Sequence, residues 1–135
     1  MRESYDELYA HQAQRGGPSF TLQHVVDAHA AQTATAETKP IALVFALIGL
    51  YLRVEKRYSG RQVQLVHMTL ARRKHRWPEI PLPQERGALT ACDVLAAAPG
   101  DQRDAAIDAW CESVWGAYHD SRATIAALLH EHGVV

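Results

Sequence analysis

The sequence predicts an all-α fold: one compact domain of five or six helices around a central apolar helix at 40–57. Three observations predict it. Apolar residues recur at i, i+3, i+4, i+7 spacing in segment after segment. No segment alternates apolar and polar residues as a half-buried strand does. Gly-Gly-Pro, Tyr-Ser-Gly and Pro-Gly breaks cut the chain into helix-length pieces. A chain of 135 residues is long enough to bury one real core.

The elements follow in order. The first helix is expected over Ser4–Gln14, with Ser4 and Glu7 as a capping box and Tyr5, Leu8, Tyr9 and Gln12 on one face. Gly16-Gly17-Pro18 stops it, and Ser19 is placed to cap a second helix from Phe20 to Gln32. Pro40 suits the first turn of a third helix, where its missing N–H is not needed. That helix is apolar all round until Arg53, the pattern of a helix covered on every side. Ser59 and Gln62 read as a second capping box, opening a helix to about His75 with Val63, Val66, His67 and Leu70 inward. Pro78, Pro81 and Pro83 forbid a helix through Gly87. Thr90 and Asp93 cap a short helix over Ala91–Ala97. A last helix is expected from Asp101 to His130, stopped near Gly133.

Composition narrows the class. Hydrophobic residues make up 47% and charged residues 21%, with a net charge of −1, so nothing pulls the whole chain to nucleic acid. The most apolar stretch, Pro40–Leu52, is too short for a membrane span, and the charged start Met1–Glu7 is no signal peptide. Cys92 and Cys111 form no C-x-x-C motif and no disulfide framework, which points to reduced thiols in the cytoplasm. Charge is segregated. Residues 53–76 hold eight basic side chains and one acid, Glu55. Such a dipolar chain can steer an anion to one face or stack its own copies head to tail.

Several strings together carry a family resemblance: Tyr5-Asp6-Glu7-Leu8-Tyr9, His24-Val25-Val26-Asp27-Ala28, Lys39-Pro40-Ile41-Ala42-Leu43, Gly49-Leu50-Tyr51-Leu52, Gly60-Arg61-Gln62-Val63-Gln64, Trp77-Pro78, Asp93-Val94-Leu95 and Trp110-Cys111-Glu112-Ser113-Val114-Trp115. The set resembles a bacterial family of small helical proteins catalogued as a domain of unknown function. The resemblance implies an all-helical fold and brings no activity, cofactor or catalytic residue. It would place an aromatic residue where this chain has His29.

Chemistry is sought first at His24 and Asp27, three apart and so on one helix face among apolar neighbours. A carboxylate and an imidazole in that setting are costly to bury unless they pair or bind something. If the second and fourth helices cross the third together, His67 joins them. Two imidazoles and a carboxylate suit Zn²⁺ or Fe²⁺. Without metal, Asp27 orients His24 as general base, with His67 as a second acid–base group. The bland reading is that His24 and Asp27 bond each other or the backbone and fix helix register. Glu55 sits at the wrong end of the helix dipole, so it needs a cation, Arg61 or a neighbour, or else it lines a substrate pocket with Tyr51 and His67.

The remaining features read more plainly. Arg72–Arg76 is a solvated helix end, unaccompanied by any nucleic-acid-binding signature. Trp110, Trp115 and Tyr118 are core. His119, His130 and His132 form an exposed tail. Two functions stay open. One is a small-molecule enzyme or ligand-binding protein with a polar His/Asp pocket. The other is a non-catalytic interaction protein, such as a homodimer, whose polar pair only fixes packing.

Overall fold

The computed structural model describes residues 2–15 and 21–134. Helix α1 spans Arg2–Arg15, α2 Thr21–Gln32, α3 Pro40–Lys56, α4 Gly60–Ala71, α5 Ala91–Leu95, α6 Asp101–Ala117 and α7 Arg122–Glu131. No strand occurs among the described residues. The expected cap at Ser19 and the stop at Gly16–Pro18 lie outside them.

Helix α3 is the central element, as its sequence demands. Pro40 stands in its first turn, and Leu43, Val44, Ala46, Leu47, Ile48, Leu50 and Leu52 are all buried. Helices α2, α4, α6 and α7 pack on it. Arg57 caps it in the left-handed region at φ 58°, and the Arg57 and Tyr58 N–H groups both donate to the Leu52 carbonyl. Each fully buried Leu or Ile contributes about 1.5–3 kcal/mol by leaving water, so this helix dominates the core.

Two capping boxes form as expected. Ser59 Oγ accepts from the Gln62 N–H at 3.2 Å while Gln62 Oε1 accepts from the Ser59 N–H at 2.8 Å. At α5, the Thr90 N–H donates to Asp93 Oδ2 at 2.8 Å. The box expected at Ser4 does not form, because helix already runs through Ser4.

The last helix departs from expectation. It breaks at Tyr118 into α6 and α7, joined by a 3-10 turn at His119–Ser121, so the described residues form seven α-helices rather than five or six. The physical reason is Tyr118, whose buried hydroxyl donates to the Ala31 carbonyl at 2.6 Å. That bond anchors the end of α6 to α2, and the bend returns α7 to α3.

Helix α4 stops at Ala71, short of His75. Just past its end, the Arg73 guanidinium donates to the His132 carbonyl at 2.7 Å and to His132 Nδ1 at 3.0 Å. Trp77 stacks on the His132 ring and meets Phe45 edge-on. His132 is therefore docked, not part of a free tail, while His119 and His130 are exposed. No helix among the described residues is long and apolar enough to cross a membrane.

Candidate functional site

Helix α2 presents His24 and Asp27 inward, against α3 and α6. Both are buried, yet no hydrogen bond joins them. Asp27 Oδ1 accepts from the Gln23 amide at 3.0 Å, one turn back on the same helix. Asp27 Oδ2 and His24 Nδ1 have no partner. Burial pushes the Asp27 carboxyl well above its ordinary range, with the Gln23 bond opposing. Burial, helped by the Arg53 charge, lowers His24 to about 4. A neutral imidazole beside a carboxyl that favours its neutral form is the cheapest way to keep both in this core.

The Asp27 carboxylate fits only because α3 has Gly49 opposite it. A β-carbon there would overlap Asp27 Oδ2 and come within 2.5 Å of Cγ. On the α6 side, Arg53 and Asp108 form a two-bond pair, 2.8 Å for each bond, that Arg57 joins at 3.3 Å. Burial raises Asp108, but the Arg53 pair outweighs it and holds the carboxyl below its usual range. The Cys111 thiol, whose pKa burial raises, donates to the His24 carbonyl at 3.7 Å.

His67 reaches the same stretch of α3 but a different group. Its Nε2–H donates to the Phe45 carbonyl at 2.8 Å, and its ring stacks on Phe45. That bond fixes the ring through Nε2 and leaves Nδ1 as the acceptor nitrogen. Among the described residues no three His, Cys, Asp or Glu side chains form a group able to hold a metal ion. The convergence expected of His24, Asp27 and His67 as Zn or Fe ligands is therefore not what the helices build.

Tyr51 and Glu55 lie elsewhere again. At about 100° per residue, Tyr51 is roughly 200° around α3 from Gly49. Glu55 accepts from Trp115 Nε1 at 2.7 Å and from Arg122 at 2.5–2.9 Å. The Tyr51 ring meets Trp115 edge-on, and the Arg122 guanidinium sits 5.8 Å from its centroid. Glu55 does have its cation, but it is Arg122 of α7 and not Arg61. The Arg122 bonds hold the Glu55 carboxyl below its usual range. This set locks α3, α6 and α7 together instead of lining a pocket with His67.

A cavity of about 300 Å³ opens where α1, α2 and α5 meet, lined by Arg2, His29, Gln32, Thr33, Thr90, Ala91 and Cys92. None of His24, Asp27, Tyr51, Glu55 and His67 lines it. Its frame is rigid. Gln32 Nε2 donates to the Leu89 and Arg86 carbonyls, while its Oε1 accepts from Trp110 Nε1 at 3.0 Å. Arg86 returns bonds to the Ala34, Gln32 and Pro83 carbonyls. The proline-rich stretch is thereby pinned to the end of α2. His29 stacks face to face on Tyr5, with centroids 3.6 Å apart and planes 8° from parallel. Burial and the Arg2 charge lower its pKa, so the imidazole is neutral near pH 7. Cys92 is an exposed free thiol.

The chain matches the model of a family of unknown function (DUF5946) over residues 2–119. The chain belongs to that family. No curated protein and no solved structure matches. The family match takes in every residue of the cavity and the buried His24–Asp27 pair, and ends before α7.

Sequence reasoning missed the cavity because its lining comes from three separated segments. His29, Gln32 and Thr33 do share the i, i+3, i+4 spacing, the one local signal available. Arg53, Asp108 and Cys111 were missed as neighbours of His24 for the same reason.

Proposed function

We propose that the protein binds a small anionic molecule in the cavity between α1, α2 and α5. The observation that carries this reading is the lining itself: among the described residues it offers the Arg2 guanidinium, the His29 imidazole and the Cys92 thiol and no carboxylate, while the Thr33 and Thr90 hydroxyls donate to the His29 carbonyl and to Asp93. Arg2 supplies the charge. Its contact with Asp6, at 3.8 Å, is solvent-exposed on both sides and so holds it weakly. Neutral His29 supplies a hydrogen-bonding edge whose ring is fixed by Tyr5. A volume of about 300 Å³ is at the small end of ligand pockets, which favours a metabolite-sized carboxylate. Cys92 is the strongest nucleophile in the lining.

On this reading His24 and Asp27 support the site from behind and do not touch the ligand. Burial raises the pKa of Tyr5, the ring on which His29 stacks. Free thiols at Cys92 and Cys111 fit a cytoplasmic protein.

The test is an amide NMR titration with a panel of small mono- and dicarboxylates. Saturable shifts clustered at His29, Thr33, Thr90 and Cys92, lost in Arg2→Ala, are expected. No saturable shift from any member of the panel overturns the reading.

A further inference from the structure

Helix α1 is tied firmly at its end and lightly at its start. Of its fourteen residues only Leu8 and Gln12 are buried, against five of twelve in α2. It packs chiefly on α2 and α5. Its last turns have polar ties to two other helices. Arg15 makes a two-bond pair with Asp104 of α6, and His11 Nδ1 accepts from Arg103 at 3.2 Å. The Gln12 amide donates to Thr21 Oγ1 of α2 at 2.6 Å.

Residues 2–7 have far less. Arg2 reaches Asp6 and the Tyr5 ring meets Tyr9, both within α1. Among the described residues, the stack of Tyr5 on His29 is the one hydrogen bond, ion pair or ring contact that joins this stretch to another element. The same stretch closes the cavity between α1, α2 and α5. Arg2 is what α1 contributes to the described lining; the other side chains come from α2, the turn after it and the start of α5. Segments with few buried apolar contacts open locally while the rest of a fold stays closed, and the lids of binding sites are drawn from them.

We propose that the first two turns of α1 are a lid over the cavity, latched by the Tyr5–His29 stack and clamped by a bound carboxylate through Arg2. The clamp rests on the anion-binding reading. Opening breaks one ring stack and leaves Leu8–Arg15 docked, which admits the ligand. A carboxylate held by Arg2 on the lid and by the His29 edge on the base adds a charge-assisted tie across the mouth. The ligand thereby orders the turn that covers it.

Backbone amide hydrogen exchange tests this, because fraying of residues 2–5 removes the carbonyls that accept from the N–H groups of residues 6–9. In the free protein amides 6–9 are expected to exchange about tenfold faster than amides 12–15. Tyr5→Ala removes the latch but raises helix propensity. Exchange at 6–9 is therefore expected to speed up in that variant, with 12–15 unchanged. Saturating succinate at constant ionic strength is expected to slow exchange at 6–9 in wild type and not in Arg2→Ala. Equal rates at 6–9 and 12–15 in the free protein overturn the lid, as does a Tyr5→Ala variant whose whole helix loosens together. Succinate that shifts the Thr90 and Cys92 amides without slowing 6–9 reveals ordinary end fraying; it overturns the lid and leaves the anion site standing. A protein that succinate does not shift at all overturns the clamp, whereas the anion-binding reading falls only when the whole carboxylate panel fails.

Discussion

Asp27 of α2 occupies the space that a side chain at position 49 of α3 would need, so the carboxylate and Gly49 are a matched pair. Gly49→Ala drives a methyl group into that carboxylate between two packed helices. Overpacking of this kind costs about 1–3 kcal/mol, and the atoms that must yield are those of the buried Asp27 side chain, its carboxyl first. Asp27→Ala opens the same space. The double variant is therefore expected to lose less than the sum of the singles, by about 1–2 kcal/mol, in urea unfolding. Strict additivity contradicts the pairing.

His24 and Asp27 give stability opposite dependences on pH. His24 is held at about 4 against an ordinary 6.5. Between those values the unfolded chain takes a proton that the folded chain refuses, so stability falls as pH drops. At 1.36 kcal/mol per unit, the ceiling on that loss is about 3 kcal/mol. Asp27 is raised, so the folded chain keeps a proton that the unfolded chain releases, and stability falls as pH rises from about 3.8 toward its folded value. His24→Gln is expected to flatten the acid limb between pH 6.5 and 4. Asp27→Asn is expected to be more stable than wild type above pH 6, with the gap closing toward pH 4. Urea unfolding at stepped pH reads both; parallel curves for all three proteins refute the assignment.

Gln32 uses both ends of its amide, holding two loop carbonyls and the Trp110 N–H. Gln32→Ala leaves these groups without their partner, at about 1–3 kcal/mol each where water cannot replace it. A loss of at least 2 kcal/mol is expected, with hydrogen exchange speeding up along residues 83–89. An intact loop in this variant contradicts its role as the pin.

Much of the fold was legible because periodicity and caps are local. Pro40, Ser59–Gln62 and Thr90–Asp93 mark helix starts with the residues that make the hydrogen bonds. The break at Tyr118 was not legible, because its cause is the carbonyl of Ala31, far away in sequence. The burial of His24 and Asp27 on one face was also readable. Their lack of a mutual bond was not, since helix spacing sets a face but not a rotamer. His67 pointed inward as read, yet its bond to the Phe45 carbonyl depends on where α3 crosses it.

The two thiols are expected to differ sharply. Cys92 is exposed, whereas Cys111 is buried with a raised pKa. An aromatic disulfide reagent is expected to consume one thiol per native chain quickly and the second only on unfolding. A carboxylate bound in the cavity should slow the fast reaction and leave the slow one unchanged. Two equally fast thiols in the native protein contradict this placement.

The most direct test of the anion-binding account is the pKa of His29, followed by ¹H–¹⁵N NMR of its ring with and without a saturating carboxylate. Burial and Arg2 lower that value in the free protein. A carboxylate seated between Arg2 and His29 favours the charged imidazole, so the account expects the pKa to rise in wild type and stay put in Arg2→Ala. A His29 titration that no carboxylate moves, in a protein whose helical circular dichroism spectrum is intact, contradicts it.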